Sequence, residues 1–314
     1  MHLKNRHLVG LAAILLVPAG AWFAFRDEGR VPSTPLVTSA AKRAGHKPQH
    51  EMLSRLDALA DSGSHWEERV KAVRDLPPRL DAATVEGLFA FLQGPPAAAR
   101  NEWYLVCNEI MEVLRKRDLA PGIYISNNLM LIQSPAADPV IRDYAAQHLV
   151  QWISGIDPGA CEQEPARAAA AFEALCVEAK NPANGDLTLA GTTLNGLADA
   201  VINGNAVMRQ QRTAVGRLAM EILDSPNVSV SNVNRATAIQ VAARLEVAEL
   251  PERCRSLARD PQVAGDLRLS AIAALGLVGG EDDRAFLQSF VSDETFKFAA
   301  AAAVERVEQR SDKQ

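Results

Sequence analysis

Four cysteines and six histidines are the residues of this chain best suited to nucleophilic, redox or metal chemistry. Cys107, Cys161, Cys176 and Cys254 allow three pairings if all are oxidised. Their helical positions argue against a disulfide framework. Cys107 falls in line with Tyr104, Met111 and Leu114, and Cys254 with Leu250 and Leu257, so each sits on an apolar face. Cys161 and Cys176 bracket EQEPARAAAAFEAL. As a single helix, that stretch holds them about 22 Å apart, beyond disulfide reach. Buried free thiols are expected, and no CxxC or other zinc spacing occurs.

The remaining candidates have plainer readings. His46 and His50 are four apart but separated by Pro48, so they share no helical face and read as solvated linker. His148 stands alone in an amphipathic segment and reads as a partly exposed packing residue, and His65 as a helix-start residue beside Trp66. Glu109 and Glu112 precede Arg115 and Lys116 at helical spacing, which makes a solvated, ion-paired face. Asp138 and Arg142 form an expected local pair, while Asn127-Asn128 and Asn203-Gly204-Asn205 read as turn or cap residues. Asn227-Val228-Ser229 is a glycosylation sequon in form only. There is no HExxH, GxSxG or phosphate-binding GxxxxGK[ST]. The expectation is a non-enzyme with no catalytic residue, no metal and no cofactor.

These side chains hang on helices. From residue 49 onward, apolar residues recur at helical spacing in short segments punctuated by Gly, Pro, Asp and Asn. Segments are expected at 50–61, 65–76, 82–93 and 100–117, then at 122–133, 138–153, 163–179, 186–203 and 207–224. The last five are 231–246, 249–259, 263–278, 282–292 and 295–309. Aromatic residues are 5% of the chain, and alanine is abundant, which favours closely packed helices over β-sandwiches. Segments of similar length joined by tight turns suggest helical hairpins stacked in series.

Charge and the N-terminus narrow the function. A net charge of −5 with no basic run in the body excludes a nucleic-acid footprint. Lys4 and Arg6 precede an apolar run over residues 8–25, with Pro18 and the small residues Ala19-Gly20-Ala21 in it. This is the pattern of an export segment, either cleaved after the A-x-A site or kept as a short membrane anchor. Residues 26–48 carry Pro32, Pro35 and Pro48 among Ser, Thr and Gly, and read as a flexible tether. Both readings of the segment place the body outside the cytoplasm, in the cell envelope or periplasm.

The stretch LRLSAIAALGLVGGEDDRAFLQSFVSDETFKFAAAAAVERV, from Leu267 to Val307, explains the alanines. Leu267, Ala271, Ala274, Leu275 and Val278 make one stripe that Leu269, Ile272 and Gly276 widen, as in a helix with neighbours on both sides. Gly279-Gly280 are expected to supply a left-handed residue that ends the helix. Phe286, Leu287, Phe290 and Val291 form a second face, and Asp293 restarts the cycle. This resembles the short-repeat form of the HEAT-repeat family through Arg268, Ala271, Ala274, Leu275 and Gly276, then Phe286, Leu287 and Asp293. Lys297, Ala300, Ala303 and Val304 repeat the first helix, and Asp138, Val140, Arg142, Ala145 and Leu149 match it upstream. Ala238, Ala242 and Leu245 match more loosely, and 161–224 departs from the pattern with longer helices.

The resemblance implies an all-α, right-handed α-solenoid of antiparallel hairpins over residues 49–310, in which Arg142 is structural. It also implies an extended surface, lined by the alanine-rich helices, that grips a protein partner. The expected function is an exported, membrane-tethered scaffold or adaptor whose partner-binding residues the sequence leaves unknown. The alternative is an exported helical enzyme or small-molecule binder with its site in 161–224.

Overall fold

Capping side chains and turns cut the chain into helices where the periodic segments end. In the computed structural model, residues 65–94, 100–117, 119, 121–155, 164–181, 184, 188–227 and 230–312 are described. They belong to a unit that spans Lys47–Gln314. Among them the structure is all-helical, with no strand and fourteen helices. These are α1 (Trp66–Arg74), α2 (Ala82–Gln93), α3 (Arg100–Lys116), α4 (Pro121–Gln133), α5 (Pro139–Gly155), α6 (Glu164–Lys180) and α7 (Leu189–Asn203), followed by α8 (Ala206–Gln210), α9 (Arg212–Leu223), α10 (Asn232–Arg244), α11 (Leu250–Arg259), α12 (Gly265–Val278), α13 (Asp282–Gln288) and α14 (Lys297–Ser311). The export segment, the linker, the 50–61 segment, His46, His50 and Cys161 lie outside the described residues.

Local chemistry accounts for the ends. Asp81 accepts from the Thr84 amide at 2.7 Å to cap α2. Asn205 and Ser231 cap α8 and α10 in the same way, at 2.9 and 3.2 Å. The single helix expected over 207–224 is split, because the Gln211 amide takes the tighter bond to the Met208 carbonyl, at 2.9 Å. Beyond Gln288 the chain continues only in such tighter turns, through Ser289, Phe290 and Val291, so α13 stops short of the expected 292.

Helices α1, α3, α5, α7, α10, α12 and α14 form one row in which each packs on the next. Their contacts pair like ends, so the row is parallel. At the N-terminal ends, the Tyr104 hydroxyl donates to Asp138 at 3.1 Å, and Asn234 accepts from the Gly191 amide at 3.1 Å. Near the C-terminal ends, Asp199 pairs with Arg244, and Arg310 donates to the Gly276 carbonyl at 2.8 Å. Helices α2, α4, α6, α9, α11 and α13 alternate with this row and pack against it. Three arginines tie a row helix to the helix before it. The guanidiniums of Arg142, Arg235 and Arg268 donate to the carbonyls of Ile132, Ser225 and Ala258, at 2.8, 2.9 and 3.0 Å. Each carbonyl lies 10 residues upstream of its arginine. Ile132 and Ala258 are among the last carbonyls of α4 and α11, and Ser225 lies in the turn after α9; a charged donor there satisfies groups that have no helical partner.

Small residues set the spacing of the row. A Cβ on Gly276 would lie 2.7 Å from the Ala303 Cα, so α12 and α14 meet backbone to backbone there. The expected left-handed glycine at 279–280 is not found: Gly279 has φ −66 and ψ 154, an extended conformation. Gly279 is small for another reason, since a Cβ would sit 2.5 Å from the Leu275 carbonyl oxygen and 2.8 Å from the Asp283 carboxylate. Among the described residues the left-handed one is Glu246, with φ 56. It ends α10 with the Val247 amide on the Ala242 carbonyl (3.0 Å) and its own amide on Ala243 (3.1 Å).

Candidate functional site

The residues best suited to chemistry are held in the packing. Cys107 and Cys254 are buried and free, and Cys176 is free but only half-buried. Burial pushes all three thiols up, Cys176 to about 11 and Cys254 to about 12. None is a thiolate near neutral pH, so none is an activated nucleophile. No group of three or more His, Cys, Asp or Glu among the described residues could hold a metal ion.

His148 is not the partly exposed residue its pattern suggests; it is 4% exposed. Its Nε2 lies 3.1 Å from Asn108 Oδ1, and its Nδ1 faces the Glu112 carboxylate at 3.6 Å. Burial pushes the imidazole down to about 4, against the pull of Glu112 and with the push of Arg115 and Lys116. Glu112 binds Arg115 and Lys116 at 2.8 Å each, as the spacing implies. Its neighbour Glu109, however, reaches across to Arg74 of α1 at 2.9 Å. That face of α3 is therefore an inter-helix contact rather than a solvated surface.

Other polar residues are structural. Asn127 and Asn128 lie inside α4, not in a turn, and donate to the Ile123 and Tyr124 carbonyls at 2.9 Å each. Asn205 is the expected cap and also donates to the Ile153 carbonyl at 3.0 Å. The Asp138 carboxylate accepts from the Val140 amide at 2.9 Å, while Arg142 turns to Ile132 and to the Asn184 side chain.

Clefts open on the described surface at two places that bear on function. One, of about 450 Å³, runs along α11 past Glu252, Arg255, Ser256, Arg259 and Asp260. Its cations are engaged, Arg255 with the buried Asp283 carboxylate at 2.5 Å and Arg259 over the Phe286 ring at 5.2 Å. The other, of about 560 Å³, lies between α2 and α4 and is lined by Leu80, Val85, Glu86, Phe89, Ile123 and Met130 among others. Ile123 and Met130 are 46% and 51% exposed, and share one face of α4 with Asn127. Apolar side chains this exposed, beside the buried Val85 and Phe89, form the candidate site. Neither cleft is lined by Glu112, His148 or any residue of 161–224.

Sequence reasoning missed this groove. Its signal was the i, i+7 spacing of Ile123 and Met130 on a helix that is apolar nearly all round, which hides the face that stays uncovered. No family model matches the chain, and no curated protein matches it significantly. Among the described residues no helix is long and apolar enough to cross a membrane.

Proposed function

We propose that the protein is an exported, membrane-tethered α-solenoid of HEAT-like repeats that acts as a scaffold or adaptor for a protein partner. The observation that carries the reading is the groove between α2 and α4. It offers half-exposed Ile123 and Met130 above an apolar floor, where another chain can bury side chains. The parallel row of helices, each packed on the next and alternating with a second set, supports the solenoid. The positive, apolar and Pro-rich segments of residues 1–48 support export and tethering.

The test is a cross-linked pull-down of the full-length tagged protein from native membranes, beside a copy lacking residues 1–25. A single stoichiometric partner, lost from the truncated copy, is the expected result. Recovery of bait alone in repeated experiments would sink the scaffold reading.

A further inference from the structure

The groove between α2 and α4 carries a charge pattern that narrows what fits it. Glu86 is the one charged residue lining it, and no described cation pairs with it. Neither α2 nor α4 contains a lysine or arginine. The remaining polar groups of the lining are the side-chain amides of Gln93 and Asn127. An occupant must therefore bury apolar side chains on Val85, Phe89, Ile123 and Met130 while meeting a single carboxylate at the rim. Ile123 to Met130 covers two helical turns, about 10 Å of wall, which matches the i, i+3/i+4, i+7 anchors of one helix face.

We infer that the groove receives an amphipathic helix of the partner protein, with a lysine or arginine placed beside its apolar face to meet Glu86. This rests on the scaffold reading and adds the chemistry of the partner. The helix lies between α2 and α4, its apolar stripe inward and its cation over the α2 rim. Extended acidic segments are rejected, since a carboxylate there would face Glu86 across an apolar wall.

The probes are two fluorescein-labelled helices of about 18 residues, one built of leucine and lysine and the other of leucine and glutamate. Fluorescence anisotropy measures their binding to the full-length protein. The lysine helix should bind and the glutamate helix should not. The double substitution Ile123→Ser with Met130→Ser should weaken the lysine helix by roughly ten-fold or more. Glu86→Gln should weaken it by roughly five-fold, and Glu86→Lys should reverse the preference in favour of the glutamate helix. These positions are solvent-exposed, and circular dichroism of each variant verifies the fold.

Equal binding of both helices, or binding unchanged by the Ile123/Met130 pair, overturns the inference. A photo-reactive phenylalanine analogue at position 127 should cross-link to the lysine helix. Cross-links to this chain's own segments or to a second copy instead would assign the groove to them and also overturn it. The pull-down separates the two readings. A native partner retained by the groove variants leaves the scaffold standing and removes this inference, whereas recovery of bait alone removes the scaffold reading and the partner helix with it, even where the groove still selects the lysine helix.

Discussion

Acid should loosen the α3–α5 contact through His148. Its ordinary pKa is 6.5, and the fold pushes it down to about 4, chiefly by burial. A folded pKa below the unfolded one means that unfolding takes up a proton as the pH drops below about 6.5. Stability is therefore intact above that pH and is lost progressively down to about 4. At about 1.36 kcal/mol per unit, the full loss is ~3.4 kcal/mol, with about 2 kcal/mol already gone at pH 5. At 4% exposure the side chain has little solvent to relieve it. Glu112 contributes with the same sign. Burial opposes its charge, but hydrogen bonds from Lys116 and Arg115 prevail and hold its carboxyl below the ordinary range. The variant His148→Gln keeps an amide donor for Asn108 and removes the titration. Urea unfolding followed by circular dichroism at pH 7 and pH 5 should show the native protein losing about 2 kcal/mol more than the variant. Equal losses in both would refute the argument that burial keeps this histidine neutral.

Three further substitutions test the packing. Gly276→Ala puts a methyl group 2.7 Å from the Ala303 backbone, so thermal melting should report about 1–3 kcal/mol of destabilisation. Glu246→Gly relieves a left-handed glutamate whose contact with Arg212 is long, at 4.0 Å, and should stabilise the fold by about 0.5–1 kcal/mol in urea titration. Arg268→Met loses the bond to the Ala258 carbonyl and the position over the Phe296 ring, 4.6 Å from its centroid. A loss of about 1.5–3 kcal/mol is expected from the same titration. On a Cys161→Ser background, native Cys107 and Cys254 should resist a thiol reagent at pH 8, whereas urea should expose both, as read by mass spectrometry.

The helices were legible in the sequence because capping and turn residues act locally. Asp81, Asn205 and Ser231 stand at starts the periodicity marks, and Pro77-Pro78 follow the end of α1. The misreadings have separate physical causes, distant for His148 and local for Gly279, Glu246 and Asn127. His148 is buried because α3 brings Asn108 and Glu112 onto it, 40 residues away in the case of Asn108. Gly279 is small because Asp283 folds back toward it, not because its φ requires glycine. Glutamate occupies the left-handed position that composition would assign to glycine, and nothing in the structure explains the choice. Asn127 was mistaken for a turn residue because its bond to the Ile123 carbonyl lies within a helix turn.

The helices of the row pack closely on each other, whereas α2 and α4 leave a groove between them. At two contacts of the parallel row a glycine stands where neighbours touch. Gly276 meets the Ala303 backbone, and Gly196 takes the Val150 side chain, whose Cγ1 would lie 3.3 Å from an added Cβ. Such residues let axes approach more closely than leucine or phenylalanine allows. Phe89 and Val85 on α2 and Ile123 and Met130 on α4 line the groove, while α3 and α5 pack directly on each other. Filling the gap by enlarging Ala90 of the α2 wall, as in Ala90→Leu, should therefore leave the row intact and occlude the groove. The expected outcome is unchanged thermal stability, within about 0.5 kcal/mol for an exposed position, with loss of lysine-helix binding. Full binding by that variant would show that the spacing of α2 and α4 does not define the site.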